Sequence, residues 1–227
     1  MADTAQVQID LLCPSYGRPE RLATMYRSAK DKASFPEDVH VWAAFEYDDK
    51  SIYEVGLHYD HRLTGSWHSA APAWNALVGV SRSYIVHMSA DDLIFKTKGW
   101  DDIVRASFID HPFRVLHYRD DLRDERMALN PFVTRDWIKA VGYIHPELRH
   151  FYSDTWIEEI AREAGTLHYD SALHIQQAHW KNSLAPWDET YAKTRGNSLH
   201  SQDKAVWEKN INARKDLAAI IKAAQLV

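Results

Sequence analysis

Two adjacent aspartates, Asp91-Asp92, follow the short apolar run Tyr84 to Met88. Neighbouring carboxylates repel, so the pair is costly unless a cation or hydrogen-bond donors offset it. A hard divalent ion such as Mn²⁺ or Mg²⁺ takes oxygen ligands and bridges substrate phosphates; a helix cap or solvated turn is the plain alternative. A third acid, Asp154, stands among aromatics in His150-Phe151-Tyr152-Ser153-Asp154-Thr155-Trp156. Facing a cleft, it could act as a general base. It is also a preferred N-cap ahead of a helix, and both roles can coexist. Arg18, Arg21 and Arg62 offer the bidentate fork that matches phosphate oxygens, set against the bland reading of surface ion pairs.

The 13 histidines are scattered and form no HExxH or Cys/His spacing, so a zinc-hydrolase motif is not supported. His174 and His179 stand out at the end of a β-like run ahead of Trp180, and one imidazole could join Asp92 on a metal. No Walker A loop and no GxGxxG occurs, which removes the P-loop NTPases and Rossmann dehydrogenases.

The elements that must carry these residues can be read from pattern. Val7 to Cys13 and Val39 to Phe45 read as strands, closing on the turns Pro14 to Arg18 and Glu46 to Asp49. Pro19 suits a first helical position, and Leu22, Met25, Tyr26 and Ala29 share one helical face. Residues 58 to 69 read as irregular, and a helix from about Pro72 to Val80 precedes the strand Tyr84 to Met88. Alternating strands and helices predict βαβ units and a parallel sheet, whose ligands sit beyond the carboxyl ends of the strands. Three chemically rich turns are thereby brought to one edge. Further on, the pattern predicts a helix from Trp100 to Ile109, a strand Arg114 to Tyr118 and a β-prone stretch Ala128 to Val133. Thr134 then caps a helix that stops at Gly142, a second helix runs from Asp154 to Gly165, and Thr166 to Ile175 is β-like. Lys204 to Leu226 closes the chain as one amphipathic helix that could pack on the domain or mediate a homodimer.

Composition bounds the partners. The chain has 227 residues with 27 Lys and Arg against 32 Asp and Glu, a formal net charge of −5, which argues against nucleic acid held by bulk charge. The single cysteine, Cys13, excludes an internal disulfide. No apolar run approaches the roughly 20 residues of a membrane span, and the N-terminus lacks a signal-peptide core, so a cytoplasmic protein is expected.

Taken together, these residues resemble the GT-A glycosyltransferases, in particular the family-2-like enzymes. Cys13-Pro14-Ser15-Tyr16-Gly17-Arg18-Pro19-Glu20-Arg21-Leu22 is similar to the opening P-[ST]-x-x-R-x-x-x-L of that group. Trp74-Asn75-Ala76-Leu77 and Ser89-Ala90-Asp91-Asp92-Leu93-Ile94-Phe95 ahead of Gly99-Trp100-Asp101 continue the pattern, the latter resembling the metal-binding loop. Gly142-Tyr143-Ile144 with Ser153-Asp154-Thr155-Trp156 resembles the acceptor-side segment, and His174 to Tyr191 the C-terminal histidine segment. There are departures: Phe45-Glu46-Tyr47-Asp48-Asp49 replaces the usual run of aspartates with Ser and Thr, and the acidic loop is Asp-Asp without a full DxD. The Gln-x-x-Arg-Trp sequence of processive synthases is missing.

The resemblance implies an α/β fold: a GT-A-like, Rossmann-type, mostly parallel sheet flanked by helices in a single domain, with a C-terminal helix. Residues 1–197 would form the catalytic domain, 1–92 holding the nucleotide sugar and 93–197 the acceptor, with 198–227 as a helical extension. Pro14, Ser15, Tyr16, Arg18, Glu46 and Asp48 would hold the nucleobase and ribose. Arg62 would approach the base or diphosphate, and Asp91 would bond the ribose or support its loop. Asp92 would bind Mn²⁺ or Mg²⁺ with His179 as second protein ligand and His174 as runner-up. Asp154 would deprotonate an acceptor hydroxyl in an inverting displacement on a nucleotide sugar, a UDP-sugar being favoured. Trp100, Trp156 or Trp180 could stack on a sugar, though such tryptophans are more often core. A nucleotidyltransferase or other nucleotide-processing enzyme on a similar sheet, and a non-catalytic sugar-binding module, remain alternatives.

Overall fold

A computed structural model of the chain describes residues 7–53, 58–188, 192 and 198–226. Eight strands form the sheet: β1 (Ile9–Pro14), β2 (Val39–Glu46), β3 (His61–Gly65), β4 (Ile85–Met88), β5 (Leu93–Phe95), β6 (Val115–Arg119), β7 (Phe132–Thr134) and β8 (Leu167–Gln177). Their spatial order is β3-β2-β1-β4-β7-β6-β8-β5. The first four are parallel, with Ile9 opposite both Val39 and Ile85. β7 enters antiparallel between β4 and β6, β8 runs parallel to β6, and the end of β8 pairs antiparallel with β5. The sheet is therefore mixed, with six of the eight described strands pointing one way.

Among the described residues the helices are α1 (Pro19–Lys32), α2 (Ala70–Val80), α3 (Trp100–Phe108), α4 (Arg135–Val141), α5 (Ser153–Ala164), α6 (Leu199–Lys209) and α7 (Ile211–Ala224). They cover both faces of the sheet, which is why β1 is buried along almost its whole length. Successive residues of a strand point to opposite faces. Leu11 accordingly joins the core under α1 and α3, with Leu22, Met25, Trp100 and Val104, while Leu12 joins the core under α2, α4 and α5, with Trp74, Trp137, Trp156 and Ile160.

Several local devices match the sequence reading. Pro19 opens α1. The Thr134 side chain accepts from the Trp137 N–H at the start of α4, and Gly142 ends that helix at φ +77°. Gly165 ends α5 at φ +73°, a left-handed position that favours glycine. Other expectations change. The stretch 58–69 contains edge strand β3, paired to β2 from Trp42↔His61 to Glu46↔Gly65. The expected single C-terminal helix is broken at Asn210 into α6 and α7. Its residues Ala218 and Ile221 are buried with Trp137, Trp156 and Ile160 of α4 and α5, so this part of the helix packs on the domain, while Ile211 and Ile220 are exposed. No described helix is long and apolar enough to cross a membrane.

Candidate active site

The carboxyl ends of β1, β2 and β4 open into a cleft of about 940 Å³. Pro14, Ser15, Tyr16 and Arg18 enter it from the turn after β1, Glu46 and Asp48 from the end of β2, and Asp91 and Asp92 from the loop after β4. Asp154 comes from the first turn of α5 and His179 from just beyond β8. Arg62 is the exception among the expected site residues: it lies exposed on β3 and does not line the cleft. His174 is also directed elsewhere, its Nε2 lying 2.9 Å from Asp121 Oδ2. Trp100 and Trp156 are core residues; the Trp100 indole donates to the Ala29 carbonyl at 2.9 Å.

The wall formed by the turn after β1 and the acidic loop after β4 is cross-braced. Asp91 is buried, and its carboxylate accepts from the Ser15 hydroxyl at 2.9 Å and from Arg18 Nη1 at 3.2 Å. Burial pushes the Asp91 carboxyl above its ordinary range, while the Arg18 charge and the Ser15 and Arg18 hydrogen bonds oppose that shift. Arg18 also forks onto Asp188 at 2.6 and 3.0 Å, and Arg21 reaches the same carboxylate at 3.1 Å. Glu189, Thr190 and Tyr191 of the histidine segment lie outside the described residues. The turn after β1 is held from below by Asp49, which accepts from Gly17 N at 3.1 Å and Ser51 N at 2.9 Å. Glu46 accepts from the Trp67 N–H at 3.1 Å and so fixes the loop after β3.

Trp74 and Asn75 explain their places in the sequence pattern. The Trp74 indole donates to the carbonyls of Leu12 and Ser89 at 3.0 and 2.9 Å, tying together the ends of β1 and β4. Asn75 exchanges two hydrogen bonds with the backbone of Ile144. Behind the acidic loop lies a buried polar chain. His87 Nδ1 is 2.6 Å from the Ser89 hydroxyl and Nε2 is 2.9 Å from the Tyr118 hydroxyl, which also reaches the Asn130 carbonyl at 3.2 Å. Burial lowers the His87 pKa to about 3, so the ring is neutral and links β4 to β6 without a charge.

Asp92 is 6% exposed, and its main-chain carbonyl accepts from Ala178 N at 2.7 Å, which sets the acidic loop beside His179. His179 has a local role of its own. It caps the short turn Trp180–Asn182, with Nδ1 accepting from Lys181 N at 3.1 Å. A neutral imidazole that accepts at Nδ1 carries its proton on Nε2, so in this arrangement His179 presents an N–H rather than a lone pair. Among the described residues, no group of three or more His, Cys, Asp or Glu could hold a metal ion.

Asp154 stands in the second position of α5. The N-cap expected there is instead Tyr152 at φ +63°, and the Asp154 carboxylate accepts from Thr155 N at 2.8 Å. Burial raises the Asp154 pKa to about 6, with Glu158 one turn along adding to the rise and the Thr155 N–H opposing it. A carboxyl that is largely ionised at neutral pH yet basic enough to take a proton suits a general base.

Other cleft residues were not legible in the sequence. Trp67, His68 and Ser69 arrive from the loop after β3, and Leu199 and His200 from α6. Leu122 and Arg123 arrive on a loop whose two aspartates brace each other. Asp120 accepts from the N–H groups of Leu122, Arg123 and Asp124, and Asp124 accepts from those of Asp120 and Asp121. The run Asp120-Asp121-Leu122-Arg123-Asp124 carries the signal for that loop, since Asp side chains bond backbone two residues on.

No family model and no curated protein matches the chain in sequence. Solved structures do match it in three dimensions. S. aureus TarS superposes with a TM-score of 0.58 at 12% identity, over 75% of this chain and 36% of TarS. M. tuberculosis glucosyl-3-phosphoglycerate synthase superposes with a TM-score of 0.57 at 12% identity, over 86% of this chain and 78% of that one. The fold is the GT-A glycosyltransferase fold. A mannosyltransferase from Pyrobaculum calidifontis, solved with GDP-Man and Mn²⁺, gives a TM-score of 0.56 at 10% identity, over 97% of this chain and 75% of its own. The GT-A unit described here spans only 36% and 60% of the first two TarS chains it matches.

Proposed function

We propose that the protein is a glycosyltransferase that moves a sugar from a nucleoside diphosphate sugar to an acceptor hydroxyl. The observation that carries this reading is Asp154, its pKa raised to about 6, in the same cleft as the Arg18–Asp91–Asp92 wall. Structures sharing the fold are described with UDP, with GDP-Man and with Mn²⁺, which supports a nucleotide sugar and a divalent ion here. The turn from Pro14 to Arg18, with Glu46 and Asp48, would hold the nucleoside.

The donor set fits a hard cation in part. Ser15 and Arg18 engage Asp91, which makes Asp92 the acid of the pair for a metal. His179 could add a nitrogen only by giving up the Lys181 N–H, so substrate oxygens would complete the shell. When bound, Mn²⁺ or Mg²⁺ would neutralise charge on the departing diphosphate.

Asp154 accepts the proton of the acceptor hydroxyl. The acceptor oxygen forms its bond to the anomeric carbon from the face opposite the diphosphate, and the anomeric carbon–oxygen bond breaks with its electron pair leaving on the nucleotide. That single displacement inverts the anomeric centre. The test is a panel of UDP- and GDP-sugars with Mn²⁺, scored for release of nucleoside diphosphate. Release of pyrophosphate, or no release and no ligand-induced rise in melting temperature, would overturn the reading.

A further inference from the structure

α6 looks like an appendage in sequence, yet one of its side chains is built into the wall that carries Asp154. Asp203 is 1% exposed, and its two carboxylate oxygens accept three consecutive backbone N–H groups: Arg149 N at 2.9 Å, His150 N at 2.9 Å and Phe151 N at 2.8 Å. Those three donors are what compensates the buried carboxylate for leaving water. The segment it grips leads directly into Tyr152, held at φ +63°, and then into Ser153 and Asp154. The neighbouring α6 residues Leu199 and His200 line the same cleft, and the His200 ring packs against Phe151 and Tyr152 at 5.0 and 5.5 Å.

We propose that Asp203 is a positioning residue for the transfer reaction: by clamping residues 149–151 it aims the Asp154 carboxylate into the cleft, and α6 is thereby a working part of the active site. This deepens the glycosyltransferase reading and rests on it for the chemistry. A non-helical turn whose N–H groups bond a buried carboxylate keeps one conformation. Without that carboxylate, three N–H groups lose their acceptor and the left-handed Tyr152 loses its support. Charged or titratable groups that share the cleft with Asp154 come from the gripped turn (His150, Tyr152), from α6 (His200), from the loops carrying the cations Arg18, Arg123 and Lys181, and from the acidic loop (Asp91, Asp92) and His179, while Glu158 acts from its own helix.

The experiment is Asp203→Asn in the full chain, an almost isosteric change that removes the charge and one acceptor. Hydrogen exchange at the amides of Arg149, His150 and Phe151 should speed up at least tenfold more than at the centre of α5. Nucleoside diphosphate affinity should stay within about twofold, while kcat for transfer to water falls at least tenfold and the acid limb of its pH profile moves. A uniform loss of stability would raise exchange everywhere and leave the pH profile in place. Unchanged exchange at the three amides, or loosened amides with wild-type kcat and pH profile, would overturn the proposal. Should D203N not fold, D203E keeps the charge with one extra methylene. It should show the same split between kcat and affinity, and wild-type kcat in folded D203E would count against the role. The amide exchange and an NMR titration of Asp154 need no substrate. They decide the positioning claim even where wild-type protein releases no nucleoside diphosphate and shows no ligand-induced rise in melting temperature, the result that would sink the glycosyltransferase reading instead.

Discussion

The Ser15 hydroxyl donates to Asp91 over 2.9 Å, joining the turn after β1 to the loop after β4 across 76 residues of sequence. The two adjacent aspartates are therefore unequal: Asp91 is a structural acceptor, and Asp92 is placed beside His179. Asp92→Asn should reduce Mn²⁺-dependent nucleoside diphosphate affinity tenfold or more, about 1.4 kcal/mol, while leaving the fold intact. Asp91→Asn should instead keep the metal dependence, and because burial already holds the Asp91 carboxyl above its ordinary range, the relief of that charge offsets the weakened Ser15 and Arg18 contacts and stability should change by less than about 1 kcal/mol. Calorimetry with Mn²⁺ and with EDTA, beside thermal unfolding, separates the two; metal dependence lost in D91N and kept in D92N would contradict the assignment.

Asp154 makes a prediction about pH as well as rate. Its pKa of about 6 lies above the unfolded value, so activity that needs the carboxylate should rise with pH through about 6 and level off above it. Asp154→Asn should cut kcat by about 10²–10⁴-fold with donor affinity unchanged. The stability sign runs the other way. A raised carboxyl pKa means that the folded state prefers the proton, so its contribution to stability is present below about pH 4 and lost as pH rises to about 6. Asn cannot ionise, and D154N should therefore be more stable than wild type at pH 8, by about 3 kcal/mol at most, and melt at a higher temperature. Equal melting temperatures at pH 8 would show that Asp154 is less desolvated than its position indicates.

His87 predicts an acid sensitivity. Its pKa falls from the ordinary value to about 3 because the buried ring is kept neutral, so the unfolded chain binds a proton that the native state refuses between those values. Stability should decline as pH drops below about 6.5, with a slope approaching 1.4 kcal/mol per unit from this residue alone. His87→Phe keeps a flat ring against Phe132, whose centroid is 3.9 Å away, but takes away the His87 partner of the Ser89 hydroxyl and leaves the Tyr118 hydroxyl only the Asn130 carbonyl. It should cost about 1–3 kcal/mol at pH 8 and flatten the decline below pH 6.5. Denaturant midpoints at pH 8 and pH 5 for both proteins measure this.

What could be read from the sequence was whatever has a period or a punctuation mark. β1, β2 and β4 are buried and apolar, α1 shows its core face, and Thr134 and Gly142 bracket α4. Because the ends of parallel strands meet at one edge, the turns that follow β1, β2 and β4 could be assigned to one cleft. β3 was not legible: His61-Arg62-Leu63-Thr64-Gly65 sits at the sheet edge, half or fully exposed, and has no apolar alternation. β5 has three residues, too few for a pattern. The break at Asn210 left the amphipathic pattern running across it, and so hid that α6 and α7 are separate. The clamp by Asp203 is a contact across 52 to 54 residues made to backbone, and backbone carries no residue-type signal.

The exposed placement of Arg62 leads to the last prediction. From sequence, three arginines could reach the diphosphate, and only their spacing from strand ends recommended them. In the structure Arg18 lines the cleft and is held by Asp91 and Asp188, Arg21 shares Asp188, and Arg62 points off the edge strand. An exposed charge acts on a bound nucleotide only through water and salt, an interaction worth well under about 1 kcal/mol. Arg62→Ala should therefore leave nucleoside diphosphate affinity within about twofold, whereas Arg18→Ala should weaken it tenfold or more and lower the melting temperature by freeing Asp91. Titration calorimetry at two salt concentrations makes the comparison. A tenfold loss in R62A that persists at high salt would mean that β3 and its flanking loop close over the nucleotide when it binds.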